Sequence, residues 1–501
     1  MAPSDLLEEL ADLYSRHYGH WSANAPPPYR PGGQVKLSVK LLQGWLKTDS
    51  RISWAKIENQ VIGYAISIQT NYGERGLISW VTQLVIHEDH RKRDVAKRLL
   101  FSIWGMSDHF AWGLLTANPY AVRALEKATR RRCDPKRIKR NALKLKAIGE
   151  KRTTYVKKNT AIQVNSKTSI IDTNFFLDHS ELPDMLLNAQ KNERWVLGEL
   201  PEGWEWLAFT FHDQDEIRLT ANEIEEMIKA SDQVTKQAYS RMAVDGEHLW
   251  ARHEDIETPQ IVEWCGLSEG DTVLDVGCGT GRHAFLLAAA GMTVTGVDYI
   301  PRCIALAMER VTKDHLQRIS FIEGDARNID LRREFDALIC LYDVVGSNAD
   351  SDENGRILQN CVRHLRPGGK LLLSVMNFEL TEHQAKSFFS LEVDSKALSE
   401  LRPSKTMERT GNVFNPDHYL IDRDTKLVYR KEQFVEGNDL PVELIVRDRR
   451  YRRDEIEDFC RGAGLEVLWS RFVQSKHWDV GLDAHDERAK EILVLCQKPL
   501  P

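Results

Sequence analysis

The chain has 501 residues, 42% of them hydrophobic and 28% charged, with a formal net charge of -6 at pH 7. That length allows two to four domains with buried cores, and the balance is ordinary for a soluble globular protein. No apolar stretch approaches the ~18 residues that cross a bilayer, and eight singly scattered cysteines without a C-x-x-C pair exclude a disulfide framework and a zinc site. The opening residues, MAPSDLLEELADLY, are acidic and amphipathic rather than a basic segment followed by an apolar run, so a cytoplasmic protein is expected.

Residues 23–33, ANAPPPYRPGG, cannot continue a helix and separate an opening helix from the first strands. ISWAKIENQVIGYAISI predicts two strands joined at Glu58, Asn59 and Gln60, and Ile78–Ile86 a third, nearly continuous in apolar residues and therefore central. RDVAKRLLFSIWGMSDHF carries helical spacing, GLLTA reads as a strand, and PYAVRALEKATRR as a helix with Pro119 in its first turn. Two more strand-like runs, TSIIDTNFFLD and WLAFTF, precede a charged helix from about Asn222 to Ala243.

The segment VTQLVIHEDHRKRDVAKRLLFSIW followed by TANPYAVRALEKATRRR resembles the GNAT acyltransferase family, an α+β fold, over residues 1–160 and on to about 225 with the two later strands. The resemblance implies an acetyl-CoA site on Leu84, Val85, Arg91, Arg93, Val95, Ala96 and Asn118. In that family the central strand runs into R/Q-x-x-G-x-G/A, whose backbone N–H groups hold a pyrophosphate at a helix N-terminus. The counterpart here is Arg91-Lys92-Arg93-Asp94-Val95-Ala96, with Asp94 in place of the glycine. Gln83 stands where a glutamate base is common, and Leu125 where a tyrosine acid is common. The segment is therefore read either as an active acetyltransferase or as a degenerate module that binds substrate or serves assembly.

Between Arg123 and Lys158 fifteen lysines and arginines face three acidic residues, so the rest of the chain is acidic. This run is read as a solvated helix face, as a site for the 3'-phosphate of coenzyme A, or as a nucleic-acid contact. Its one aromatic, Tyr155, argues against base stacking.

From about Trp250 strands and helices alternate, which predicts a parallel sheet covered on both faces. The strand TVLDV ends in Asp275-Val276-Gly277-Cys278-Gly279-Thr280-Gly281, and a helix comes at once. Glycines suit a sharp turn with a ligand close to the backbone. The next strand, MTVTGVD, ends in Asp298, placed to accept ribose hydroxyls. Asp275 at the strand end would repel a diphosphate but suits a cationic ligand.

This ordered unit resembles the class I S-adenosylmethionine-dependent methyltransferases, over residues 250–501. The resemblance implies a Rossmann-like, seven-stranded sheet and S-adenosyl-L-methionine as cofactor. It implies that Asp275, Gly277, Cys278, Gly279 and Gly281 line the methionine and ribose part, with Asp298 and Tyr299 at the ribose. Asp325 would face the adenine amino group with the Ala326 N–H beside it, and Leu341 would lie near the transferred methyl. Trp250 and Arg252, on an upstream capping helix, would serve as aromatic lid and carboxylate-binding cation. Tyr342, Asp343 and His283 are the candidates for proton transfer, although a sulfonium methyl needs positioning more than acid–base help.

Residues 377–446 leave the alternating pattern for antiparallel strands, a β-rich lid resembling those of small-molecule methyltransferases, with Tyr419, Arg430, Arg449, Tyr451 and Trp478 as candidate lining residues. A DNA-type Asp-Pro-Pro-aromatic clamp and a Pro-Cys nucleophile are absent. The chain therefore reads as residues 1–225 (GNAT-like), 226–249 (charged helical linker) and 250–501 (methyltransferase). It would methylate a small molecule at an N, O or C nucleophile. The alternatives are a bifunctional acetyltransferase and methyltransferase, an RNA modifier using residues 123–158, and a regulatory sensor of S-adenosylmethionine. No metal is expected, and the oligomeric state is not legible.

Overall fold

The computed structural model describes residues 4–58, 60–104, 107–191, 194–242, 254–312, 317–391, 396–404, 413–434 and 442–501. The chain divides into two compact units between Arg218 and Leu219. Among the described residues no helix is long and apolar enough to cross a membrane, and no group of three or more His, Cys, Asp or Glu side chains could hold a metal ion.

The first unit is built on seven strands: β1 (Ser50–Ile57), β2 (Gln60–Asn71), β3 (Leu77–Ile86), β4 (Ala111–Thr116), β5 (Ile162–Val164), β6 (Ser169–Phe175) and β7 (Gly203–Phe211). They pair in the order β1-β2-β3-β4-β7-β6-β5, and only β3 and β4 run parallel. Residues 61–68 of β2 are all buried, as a strand covered on both faces requires. On one face the helices Ser4–His17 and Val39–Trp45 lay Leu7, Leu10, Tyr14 and Leu42 over Tyr64, Ile66 and Val85. Helices Val95–Trp104, Pro119–Thr129 and Pro135–Arg152 contribute Leu100, Leu125, Ile138 and Leu145 to a larger core around Trp80, Trp206 and Phe209.

The basic run lies largely in the helix Pro135–Arg152, and many of its cations are engaged within the unit. Arg123 and Arg132 meet the buried Glu126, Arg130 and Arg131 meet Glu216, Arg137 meets Asp213, and Arg152 meets Asp49. Lys144 donates to the Tyr72 carbonyl at 2.7 Å and sits over the Tyr72 ring. These pairings favour the structural reading of the run over the nucleic-acid one.

The second unit holds β8 (Thr272–Val276), β9 (Thr293–Asp298), β10 (Ile319–Glu323), β11 (Phe335–Cys340) and β12 (Leu365–Met376). An insertion then carries β13 (Phe388–Phe389), β14 (Tyr419–Asp422), β15 (Val428–Phe434) and β16 (Val442–Asp448). The chain returns with β17 (Glu466–Gln474), β18 (His477–Leu482) and β19 (Glu491–Gln497). The main sheet runs β10-β9-β8-β11-β12-β19-β17-β18, parallel through β12 and antiparallel beyond. The expected seven strands are thus eight. After β17 the chain turns through Lys476, at φ 77°, and β18 returns as an added edge strand.

The insertion is a separate four-stranded sheet, β13-β14-β15-β16, antiparallel except for the short β13–β14 pair. The helix Ala221–Met242, whose sequence reads in part as a linker, buries Ile224 and Ile228 in one apolar cluster with Phe389, Leu420, Tyr429 and Ile445 of this sheet. Inside the sheet Arg430 is held by Glu432 and by Asp448 at 2.8 Å, and the fully buried Arg450 donates to the other Asp448 oxygen at 2.7 Å. Burial pushes the Asp448 carboxyl up, but the two guanidiniums outweigh it and hold the pKa below the ordinary value.

Candidate functional site

The C-terminal ends of β8, β9 and β11 bring most of the expected cofactor residues together. β8 stops at Val276, and the chain turns through Gly277 (φ 75°), Gly279 (φ 55°) and Gly281 (φ 81°) into the helix Arg282–Ala289. All three glycines sit in left-handed backbone, which a side chain rarely adopts. A Cβ on Gly277 would also lie 2.4 Å from Val344, whereas one on Gly279 would point into open space. The Gly279 N–H donates to Asp298 Oδ2 at 2.9 Å and the Ile300 N–H to Oδ1 at 2.8 Å, so the β9 carboxylate is fixed against the loop. Tyr299 beside it is exposed, while Cys278 and Leu341 are buried. Burial pushes the Cys278 thiol well up, so it stays protonated and inert.

Asp275 closes this group from below. Its side chain is buried, and its Oδ2 finds no hydrogen-bond partner among the described residues. Burial pushes the carboxyl up to about 7; Arg282 opposes the rise and Asp298 adds to it. A buried carboxylate oxygen with no partner is costly unless a ligand completes it. A cationic ligand with an amino group and hydroxyls fits this set: an acid without a partner, a fixed second acid and backbone open enough to approach.

Asp325 is placed otherwise. Its carboxylate is clasped by Arg327 through Nε at 2.9 Å and through Nη2 at 2.5 Å, and Arg327 also reaches Glu353 at 2.7 Å. Ala326 is half-buried against the core cluster of β8 and β11, and its carbonyl accepts from Asn360 at 2.9 Å. Trp250 and Arg252 lie outside the described residues.

Two of the three proton-transfer candidates, Tyr342 and His283, meet on a residue that sequence reading missed. Glu257, on the helix Glu254–Cys265, is fully buried. It accepts from the Tyr342 hydroxyl at 2.5 Å and from His283 Nε2 at 3.0 Å, with Arg282 at 4.0 Å. Burial pushes Glu257 up, but the His283 and Tyr342 hydrogen bonds and the Arg282 charge more than compensate, so its pKa lies below the ordinary value. Burial lowers His283 and raises Tyr342 well above the usual phenol range, which leaves a neutral imidazole and a neutral phenol on an ionised acid. The Arg282 guanidinium lies 4.2 Å above the Tyr342 ring.

Glu491, at the start of β19, also belongs here. Burial and the neighbouring Glu257 push its carboxyl up to about 7, and its Oε2 has no partner among the described residues. Nothing local signals Glu257 or Glu491, because their partners are distant in sequence. Asp343, the third candidate, accepts from the Met376 N–H at 3.2 Å, and burial with nearby Asp448 pushes it well up. Tyr342 and Asp343 are both left-handed, at φ 60° and 66°.

The lid candidates are mostly structural. Tyr419 is buried and donates to the Thr381 carbonyl at 2.7 Å, Arg430 is spent on Glu432 and Asp448, and Arg449 pairs with Glu455 at 3.2 Å. Tyr451 is buried in the core of the main sheet, with the Arg449 guanidinium 5.1 Å above its ring. Trp478 is buried 6.4 Å, centre to centre, from the Tyr342 ring.

In the first unit, the loop after β3 is held by its own side chains. Arg91 donates to the carbonyls of Ile86 at 3.3 Å and His17 at 2.5 Å. Asp94 sits at φ 56° immediately before the helix Val95–Trp104, and its carboxylate meets Lys127 at 3.4 Å. Arg93 is exposed, Val95 and Ala96 pack on the apolar core, and Asn118 caps its helix through the Tyr120 N–H at 2.9 Å. Leu84 packs on that same core, and Val85 is buried against the opposite one.

A family model described as a methyltransferase domain matches residues 273–369. The cypemycin N-terminal methyltransferase of a Streptomyces species is 35% identical over 106 residues, 21% of this chain and 42% of that protein. A dTDP-4-amino-2,3,4,6-tetradeoxy-D-glucose N,N-dimethyltransferase from Saccharopolyspora spinosa is 33% identical over 120 residues, 24% of this chain and 45% of that protein. The chain thus spans less than half the length of these two relatives. Among solved structures, an S-adenosylmethionine-dependent methyltransferase from Clostridium acetobutylicum is 17% identical, covering 54% of this chain and 99% of its own, with a TM-score of 0.36. Within the C-terminal half, residues 273–369 form a methyltransferase domain.

Proposed function

We propose that the chain transfers a methyl group from S-adenosylmethionine to a small-molecule acceptor at an N, O or C nucleophile. The observation that carries this reading is the Asp275–Gly281 loop, with its partnerless buried carboxylate oxygen and the fixed Asp298 beside it. Asp275 and the Gly277–Gly279 backbone would hold the amino-acid end of the cofactor, and Asp298 its ribose hydroxyls. The bound cofactor supplies a methyl already activated by its sulfonium. What remains for the chain is to orient the acceptor and exclude water. Tyr342, at the exit of β11, is fixed for that role by Glu257. The relative named as a dTDP-sugar N,N-dimethyltransferase supports a small acceptor.

The first unit reads as a GNAT-like module that binds substrate rather than transferring an acyl group. Asp94 supports this, since it sets a negative charge at the helix start where a diphosphate would lie. The deciding experiment is calorimetric titration of the intact protein with S-adenosylmethionine and, separately, acetyl-CoA. Micromolar binding of S-adenosylmethionine, lost in Asp298→Ala, is expected, and acetyl-CoA should not bind. A folded protein that ignores S-adenosylmethionine would overturn the main reading, and saturable acetyl-CoA binding would restore the bifunctional one.

A further inference from the structure

The first unit contains a polar recess that neither the methyl-transfer reading nor the acyltransferase motif uses. Glu205 lies in the strand β7 between Trp204 and Trp206, and only 6% of it is exposed. Along β7 side chains alternate, so Glu205 shares a face with Phe209, which packs edge-on against Trp80, while Trp206 turns to the other face. There its charge is felt by the phenols of Tyr14, Tyr18 and Tyr155, and Tyr18 also feels Tyr64. Tyr14, in the last turn of the helix Ser4–His17, and Tyr18, just past its end, stack at 4.2 Å. Tyr155 enters beside Trp80, its hydroxyl accepting from Trp80 Nε1 at 3.2 Å.

Two further polar groups face the same space. Tyr64 donates to Gln83 Oε1 at 2.8 Å, which leaves the buried Gln83 Nε2 with no acceptor among the described residues. The buried Thr173 hydroxyl oxygen, in the irregular stretch where β6 leaves register with β7, lies near Glu205 and has no hydrogen-bond partner among the described residues. Tyr18, Tyr155 and Thr173 are each half-buried, so the group lines a recess rather than a sealed core. No described lysine, arginine or histidine forms an ion pair with Glu205.

A buried carboxylate with no cation from its own chain, ringed by phenols, is incomplete. Aromatic rings around an acid are the chemistry that holds an alkylammonium, through ion pairing and the ring faces together. The stranded Gln83 donor asks for an acceptor oxygen close to that cation. We propose that the first unit binds a small amine in its charged form, bearing a neighbouring hydroxyl or carbonyl oxygen, with Glu205 as counter-ion, Tyr14, Tyr18 and Tyr155 as walls and Gln83 as donor to the oxygen. The site rests on the geometry of the first unit alone and needs no cofactor.

Titration of the full chain with choline and with ethanolamine tests it, alongside Glu205→Gln, Tyr18→Leu and Asp298→Ala. Saturable binding of at least one cation is expected, weakened at least tenfold in Glu205→Gln and severalfold in Tyr18→Leu, and unchanged in Asp298→Ala. Glu205→Gln removes a buried charge and should melt no lower than the parent, so a loss of binding there is not a loss of fold. Choline carries a fixed charge, and the titratable groups facing Glu205 are phenols that stay protonated. Its affinity should therefore rise with pH as Glu205 ionises, whose carboxyl burial holds near 7. Absence of saturable binding by both cations would overturn the proposal. So would binding that survives Glu205→Gln, or binding lost only in Asp298→Ala, which would move the cation to the second unit.

Discussion

The glycines of the β8 loop look equivalent in sequence but sit in different surroundings, and that difference separates stability from binding. Gly277 has both a left-handed φ and Val344 2.4 Å from where a Cβ would be, so Gly277→Ala must strain the backbone and push the β11 exit aside. A cost of roughly 2–4 kcal/mol is expected, read as a fall in melting temperature. Gly279 has the left-handed φ but open space around it. Gly279→Ala should cost only about 1 kcal/mol in stability. It should nevertheless weaken S-adenosylmethionine binding at least tenfold, because the methyl would occupy the ligand's side of the loop. Equal losses of binding and stability in both variants would place the ligand elsewhere.

Tyr342 makes the same distinction at the acceptor end. It and Asp343 hold left-handed backbone at a cost of about 1–3 kcal/mol each, the kind of strain that persists where geometry is functional. Glu257 helps to keep Tyr342 there through a hydrogen bond of 2.5 Å. Tyr342→Phe keeps the ring and its stacking but loses the hydroxyl, leaving Glu257 to His283 and Arg282. Cofactor affinity is expected to change less than threefold while kcat falls at least tenfold. A Tyr342→Phe enzyme with wild-type kcat would make the residue purely structural.

At the scale of elements, legibility depended on how local each signal is. Strand, glycine loop, helix, strand and terminal acid lie within one stretch of chain, so Asp275, Gly279 and Asp298 stand out together, and the resemblance to methyltransferases implies their roles. Glu257, Tyr342 and Glu491 come from three separate elements, and only the fold brings them together. β18 was missed because its residues are mostly exposed and Trp478 alone is buried, which leaves no alternation to read. The helix Pro135–Arg152 is legible as a charged helix face, but its charges mask the buried stripe of Ile138, Ala142, Leu145 and Gly149 at helical spacing. Arg430 reads as a lining residue because the antiparallel insert resembles a lid over the cofactor. The strand instead turns it inward onto Asp448.

That buried pairing makes the insert sheet a test of its own. Asp448 is shared by Arg430 on β15 and by Arg450, so Asp448→Ala leaves the buried Arg450 without its counter-ion and Arg430 with Glu432 alone. Removing one partner of such a network costs about 3–5 kcal/mol. The loss should appear as faster amide exchange across Tyr419–Asp422 and Val428–Phe434, with the main sheet from Thr272 to Met376 unchanged. Uniformly faster exchange in both sheets would mean that insert and core unfold together.

Across the whole molecule, three buried acids share one sign. Burial pushes Asp275, Glu205 and Glu491 each up to about 7. An acid whose folded pKa is raised holds its proton more tightly in the folded state. Its contribution to stability is complete below about pH 4 and is lost as pH rises through 7. Each is worth about 3–4 kcal/mol at most. Glu257 and Asp448, whose pKa values are lowered, act in the opposite sense toward acid. A ligand reads this out more cleanly than unfolding does. Near pH 7 about half of the Asp275 carboxyls carry a proton, and a cationic amino group placed against the partnerless oxygen must expel it. Binding of S-adenosylmethionine at pH 7 is therefore expected to release about half a proton per site. The measured binding enthalpy should then vary with the ionisation enthalpy of the buffer. Asp275→Asn, which has no proton to lose, should remove that dependence while weakening affinity. A buffer dependence that persists in Asp275→Asn would mean that the proton comes from Glu491 or Glu205, and that the ligand's charge meets a different acid.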